Sequence, residues 1–145
     1  MEQGDQEFRS NNPLTERIIG SCIAVHRALG PGLLESAYEQ CLCRELEIHG
    51  LSYRRQVPIS FDYRGALVDC AYRVDLIVAE EVIVELKSVA QFDAIHLAQL
   101  LTYLKLTDYP IGLLINFNVT SLRQGLRRVT RRTHLNDSQI SLISL

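Results

Sequence analysis

The chain has no tryptophan, a single methionine and only 7% aromatic residues, so any sizeable core must be built from Leu, Ile and Val. No apolar run reaches the roughly 18 residues that a membrane-spanning helix needs. An excess of either charge is also missing: 15 basic residues stand against 17 acidic ones, a formal net charge of −2. That balance argues against a surface coated for nonspecific nucleic-acid binding, but it does not exclude a local basic groove. The four cysteines, Cys22, Cys41, Cys43 and Cys70, include no C-x-x-C pair and no His partner at zinc-finger spacing. A structural zinc or iron–sulfur site would need closer grouping, so they read as small buried hydrophobes in a reduced compartment. The opening "MEQGDQEFRSNN" lacks the apolar stretch of a secretory signal, and a cytoplasmic location is expected.

What is present is ordinary globular composition, 47% apolar and 22% charged in 145 residues, enough for one domain with a real core. Residues 1–12 read as a flexible tail and 13–145 as the domain. Asn12 can cap a first helix with Pro13 in its first turn, and Gly30-Pro31 stops it. A second helix is expected from about Leu34 to His49, with Leu34, Ala37, Tyr38, Cys41, Leu42 and Leu46 as its apolar stripe. The period then changes. "LSYRRQVPISFDYRG" gives one or two strands, with Pro58 marking an edge or bulge. "ALVDCAYRVDLIVA" and "EVIVELKSV" follow as strands around a tight turn near Ala79–Glu81. A helix capped by Asp93 precedes "IGLLINFN", whose nearly all-apolar pattern suits a strand covered on both faces. "SLRQGLRRVTRRTHL" fits either a short helix or an edge strand. The expected fold class is α/β: a central mixed sheet flanked by helices, in the order α-α-β-β-β-α-β.

Two charges interrupt the apolar run "EVIVELKSV". Glu85 and Lys87 are two apart and share a face, while Val84 and Leu86 point the other way. With a turn centred on Glu80, Val78 pairs with Val82 and Asp75 falls opposite Glu85. Two carboxylates so placed repel, and burial adds a desolvation cost. Shared protonation, a cationic side chain or a metal ion could compensate; a divalent metal does so most naturally. The plainer alternative is a Glu–Lys pair on a half-exposed face with Asp75 solvated.

An Asp, about ten residues, then Glu-x-Lys on a hairpin resembles the core of the PD-(D/E)xK nuclease superfamily, here Asp75 in "YRVDLIV" and Glu85-Leu86-Lys87 in "VELKSV". Upstream, "GLLESAY" matches the signature of the GxxExxY protein family. The resemblance spans roughly Leu14 to Val129 and implies a restriction-endonuclease-like core. It implies that Asp75, Glu85 and the backbone carbonyl of Leu86 ligate Mg²⁺ or Mn²⁺, that Lys87 serves the attacking water, and that Glu35 completes the metal shell. Gln99 and Tyr103 form Q-x-x-x-Y, similar to the corresponding helix of RecB-like and lambda-exonuclease-like nucleases, where such residues face the active site. His96 joins their stripe. Tyr38, one turn from Glu35, is a candidate substrate contact or a core aromatic. His26 reads as a helix-terminal residue interacting with the dipole.

Arg123, Arg127, Arg128, Arg131 and Arg132 place five cations in ten residues. Such a stripe, with Arg54 and Arg55 as additions, could pair with successive phosphates and give salt-dependent affinity without reading sequence. Arg127 and Arg128 are therefore candidate substrate contacts. The functional expectation is a divalent-metal-dependent nuclease hydrolysing phosphodiester bonds in DNA, with a second copy or a protein partner supplying specificity and no membrane partner. The alternative is a catalytically inactive nuclease-fold module that binds nucleic acid or a protein partner.

Overall fold

The computed structural model describes residues 12–131. The expected tail lies outside that range apart from Asn12, as do residues 132–145 of the expected domain. Helices α1 (Pro13–Leu29) and α2 (Glu35–Ile48) come first, followed by strands β1 (Tyr53–Tyr63), β2 (Ala66–Val78) and β3 (Val82–Lys87). Helix α3 (Ala94–Leu106), β4 (Ile111–Asn116), a 3-10 turn (Leu122–Gly125) and β5 (Leu126–Thr130) complete the described chain. The expected order holds through β4. The ambiguous arginine-rich stretch proves to be both alternatives in succession, a short helical turn and then a strand.

Local chemistry explains the boundaries. Asn12 caps α1 by accepting the Thr15 N–H at 3.1 Å. Gly30 ends it with φ of 68°, its N–H donating to the His26 carbonyl. Helix α3 starts at Asp93, whose N–H donates to His96 Nδ1 at 3.1 Å. His96 thus closes the first turn of its own helix, one turn ahead of Gln99.

The sheet has strand order β1-β2-β3-β4-β5 among the described residues, with β3 and β4 parallel and every other pair antiparallel. Helix α3 is the crossover that a parallel pair requires. Alternation along the strands feeds two cores. Val82, Val84, Leu86, Leu113 and Ile115 pack with Ile18, Tyr38, Leu42 and Leu46 of α1 and α2. Ile77, Ile83, Leu114 and Val129 pack with Leu97, Leu100 and Leu104 of α3. Strand β4 is buried along its whole length, as its apolar run predicts. A Cβ at Gly112 would fall 2.7 Å from Leu100 Cδ1, so glycine is what lets α3 lie this close to β4. No described helix is long and apolar enough to cross a membrane.

Among the described residues β1 is an edge strand, with a register shift between Pro58 and Ser60, which satisfies both readings of Pro58. In α2 the buried stripe is Tyr38, Glu39, Leu42, Cys43 and Leu46, whereas Leu34 stands 75% exposed ahead of the helix. Cys22 and Cys43 are buried and Cys41 half-buried; the side chain of Cys70 lies outside the described set.

Candidate active site

The expected register is found: Val78 pairs with Val82, Ile77 with Ile83 and Leu76 with Val84. One step further the backbone ladder gives way to side chains. Glu85 Oε1 accepts the Asp75 N–H at 2.8 Å, and Asp75 Oδ2 accepts the Leu86 N–H at 2.8 Å. Each carboxylate therefore caps the opposite strand, and the two are locked side by side where the hairpin opens. Among the described residues no donor reaches the second Glu85 oxygen.

Electrostatics follow from that position. Burial pushes the Glu85 carboxyl up to about 8, with the Asp75 charge as the next contribution, while the Asp75 N–H and the Lys87 ammonium pull the other way. Asp75 is also raised, again chiefly by burial, against the Leu86 N–H, the Gln56 amide and Lys87. The two carboxyls titrate as a pair, each charge opposing ionisation of the other.

Helix α2 brings two acids toward this end of the sheet. Glu35 sits in its first turn, and Glu35 Oε1 accepts the Ser88 N–H at 3.1 Å, one residue past Lys87. Ser88 in turn donates through Oγ to the Leu33 carbonyl at 2.5 Å. One helical turn later comes Glu39, which is 6% exposed and whose charge bears on both Asp75 and Glu85. Arg55 pairs with Glu39 at 2.8 Å, and Gln56 Nε2 donates to Glu39 Oε1 at 2.7 Å and to Asp75 Oδ1 at 3.3 Å. Glu39 and Gln56 were missed by sequence reasoning. The i, i+4 spacing from Glu35 and the place beside Tyr38 in the buried stripe were the available signal for Glu39. For Gln56 there was none.

Among the described residues no group of three or more His, Cys, Asp or Glu side chains could hold a metal ion. The pair itself nonetheless suits one. Two desolvated carboxylates with an unengaged oxygen form an oxygen-only donor set, and Mg²⁺ commonly takes one or two carboxylates plus water and substrate oxygens.

Other expected site residues lie elsewhere. Tyr38 has no exposed surface; its hydroxyl donates to the Gly30 carbonyl at 2.6 Å and accepts the Leu33 N–H, and its ring stacks on Phe117. It is a core clamp on the α1–α2 turn. Tyr103 is 6% exposed and stacks on Tyr72 of β2, while Gln99 is half-buried. His26 sits in the last turn of α1, as expected; it is buried and reaches the Val119 carbonyl at 2.8 Å through Nε2, tying α1 to the loop after β4. The arginines do not form one stripe. Arg127 is exposed, with its guanidinium 5.4 Å over the Phe92 ring, whereas its neighbour Arg128 points to the other face of β5, as strand alternation requires. Arg131 donates to the Thr107 carbonyl and Asp108, a tie to the α3–β4 loop. Arg54 pairs with Glu80 and Arg55 with Glu39. Arg132 lies outside the described residues.

The segment after Lys87 is held by a buried amide. Asn116 Oδ1 accepts the Val89 N–H at 3.1 Å, and Asn116 Nδ2 donates to the Val89 carbonyl at 2.9 Å. Gly125 backs onto this residue so closely that a Cβ would lie 2.1 Å from the Asn116 carbonyl oxygen.

A mixed sheet flanked by helices, with an Asp and a Glu-x-Lys facing each other on its central hairpin, defines the restriction-endonuclease-like class. A family model of the PD-(D/E)XK nuclease superfamily matches residues 12–129. The chain belongs to that superfamily. Neither the curated proteins nor the solved structures yield a match.

Proposed function

We propose that the chain is a divalent-metal-dependent nuclease of the GxxExxY kind that hydrolyses phosphodiester bonds in DNA. The observation that carries this reading is the Asp75–Glu85 interlock, a half-buried and a buried carboxylate facing each other beside Lys87 in a chain of nuclease ancestry. Asp75 and Glu85, with the Leu86 carbonyl and the α2 carboxylate Glu35, would hold Mg²⁺ or Mn²⁺. Such a cation, when bound, polarises the phosphate and lowers the pKa of its water. Lys87 sits at the rim, half-buried, where its ammonium orients the attacking water and stabilises negative charge developing on the phosphate. Gln99 borders the substrate side, and exposed Arg127 contacts a neighbouring phosphate.

Purified protein should cut DNA with Mg²⁺ or Mn²⁺ and stop when the metal is chelated. Glu85→Ala and Lys87→Ala should slow cutting about 10²–10⁴-fold while the proteins remain folded. Equal cleavage by both variants, after contaminating nucleases are removed, rejects the mechanism.

A second reading has one observation in its favour: Glu39, the buried acid of α2, is already neutralised by Arg55, leaving two acids at the interlock. It describes a module that keeps the fold and binds nucleic acid without turnover. Such a module shows no Mn²⁺-dependent thermal shift, whereas the enzyme does.

A further inference from the structure

Gln56 stands inside β1 between Arg55, which pairs with Leu76, and Val57, which pairs with Val74. The register is the same on both sides, so no residue is inserted and Gln56 lies directly across from Asp75. That pair is nevertheless missing from the ladder, and Gln56 has φ of 50°. L-residues rarely adopt this left-handed conformation. Arg64, Ala79 and Glu80 share it, but all three sit in hairpin turns, where it is expected.

The kink redirects the strand's side chains. Regular alternation sends neighbours to opposite faces, yet Arg55 and Gln56 both reach Glu39. Arg55 donates through Nε and Nη2 to Oε2, and Gln56 donates through Nε2 to Oε1. The Gln56 nitrogen also donates to Asp75 Oδ1. An amide nitrogen carries two hydrogens, and here each is directed at a carboxylate. Asp75 is thereby gripped from both sides, by Gln56 on Oδ1 and by the Leu86 N–H on Oδ2.

We propose that Gln56 is a positioning residue of the candidate active site: through the left-handed kink in β1, its amide fixes the Asp75 carboxylate and links it to Glu39. A residue serving only the strand would have no reason to keep a conformation that breaks the ladder. The proposal rests on the nuclease reading above.

Gln56→Gly separates backbone from side chain, because glycine adopts positive φ freely and brings no donor. On the full chain and this variant, three properties are compared: the melting temperature without metal, Mn²⁺ affinity by titration calorimetry, and kcat and KM for Mn²⁺-dependent DNA cleavage. The expected result is a variant that still melts cooperatively, with Mn²⁺ affinity and kcat lowered about 10–100-fold and KM little changed. Wild-type affinity and kcat in the folded variant would overturn the positioning role and leave the nuclease reading standing. A wild-type protein that neither binds Mn²⁺ nor cuts DNA would overturn both. Should Gln56→Gly fail to fold, Gln56→Asn carries the same test: asparagine tolerates positive φ, and its amide is one methylene too short for both carboxylates. Undiminished Mn²⁺ affinity in Gln56→Asn counts against the proposal.

Discussion

At its turn end the β2–β3 hairpin is an apolar ladder in which Leu76, Ile77, Val78, Val82, Ile83 and Val84 are all buried and regularly paired. At its open end, one residue further along each strand, two carboxylates stand where backbone pairing should continue. The first end lowers the free energy of folding by removing apolar surface from water. The second opposes folding through desolvation and repulsion. A single hairpin thus supplies the rigid base and the unstable centre placed on it, which is how a reactive site can be held in one geometry.

The comparison can be broken at either end. Removing the charge machinery, by Glu85→Ala or Lys87→Ala, should lower the DNA cleavage rate about 10²–10⁴-fold while circular dichroism stays native. Weakening the base, by Ile83→Ala, should cost about 2–5 kcal/mol in urea unfolding, since Ile83 is fully buried between the sheet and α3. Activity below the unfolding midpoint should survive that change.

The comparison sharpens with pH. A carboxyl whose folded pKa is raised gives stability that is present below its unfolded value and lost as pH rises through its folded value. For Glu85 the window runs from about 4.5 to about 8, and Asp75 acts in the same direction. Metal-free protein should therefore lose thermal stability across that interval. Glu85→Gln should flatten the profile, and an unchanged slope in that variant would deny the carboxyl pair its role.

Smaller effects test the periphery. Tyr38→Phe removes a hydroxyl with two partners in the α1–α2 turn and should cost about 1–3 kcal/mol with kcat and KM unaltered; a raised KM would restore its substrate role. Arg127→Ala should reduce the salt dependence of DNA binding by about one phosphate contact.

Much of this was legible in the sequence. The register that sets Asp75 against Glu85 followed from a turn centred on Glu80, because a period of two leaves few alternatives once one face is apolar. The caps Asn12 and Asp93 and the buried run of β4 were equally plain. What stayed hidden depended on tertiary contact. Whether Glu39 faces the sheet depends on how α2 docks, and nothing in the local pattern of β1 announces positive φ at Gln56. The arginine run looked like one stripe because charge can be counted along a chain, whereas strand alternation and the contacts of Arg131 divide it.

The fit of Gly125 against the Asn116 carbonyl has a consequence for anyone mapping this protein by mutation. Any larger residue at that position must push β4 or the helical turn aside, and the amide that steadies the chain just beyond Lys87 moves with it. A saturation screen scored by activity would rank position 125 among the least permissive, beside the acids themselves. Read without coordinates, that ranking would enrol in the chemistry a residue that has no side chain to offer it.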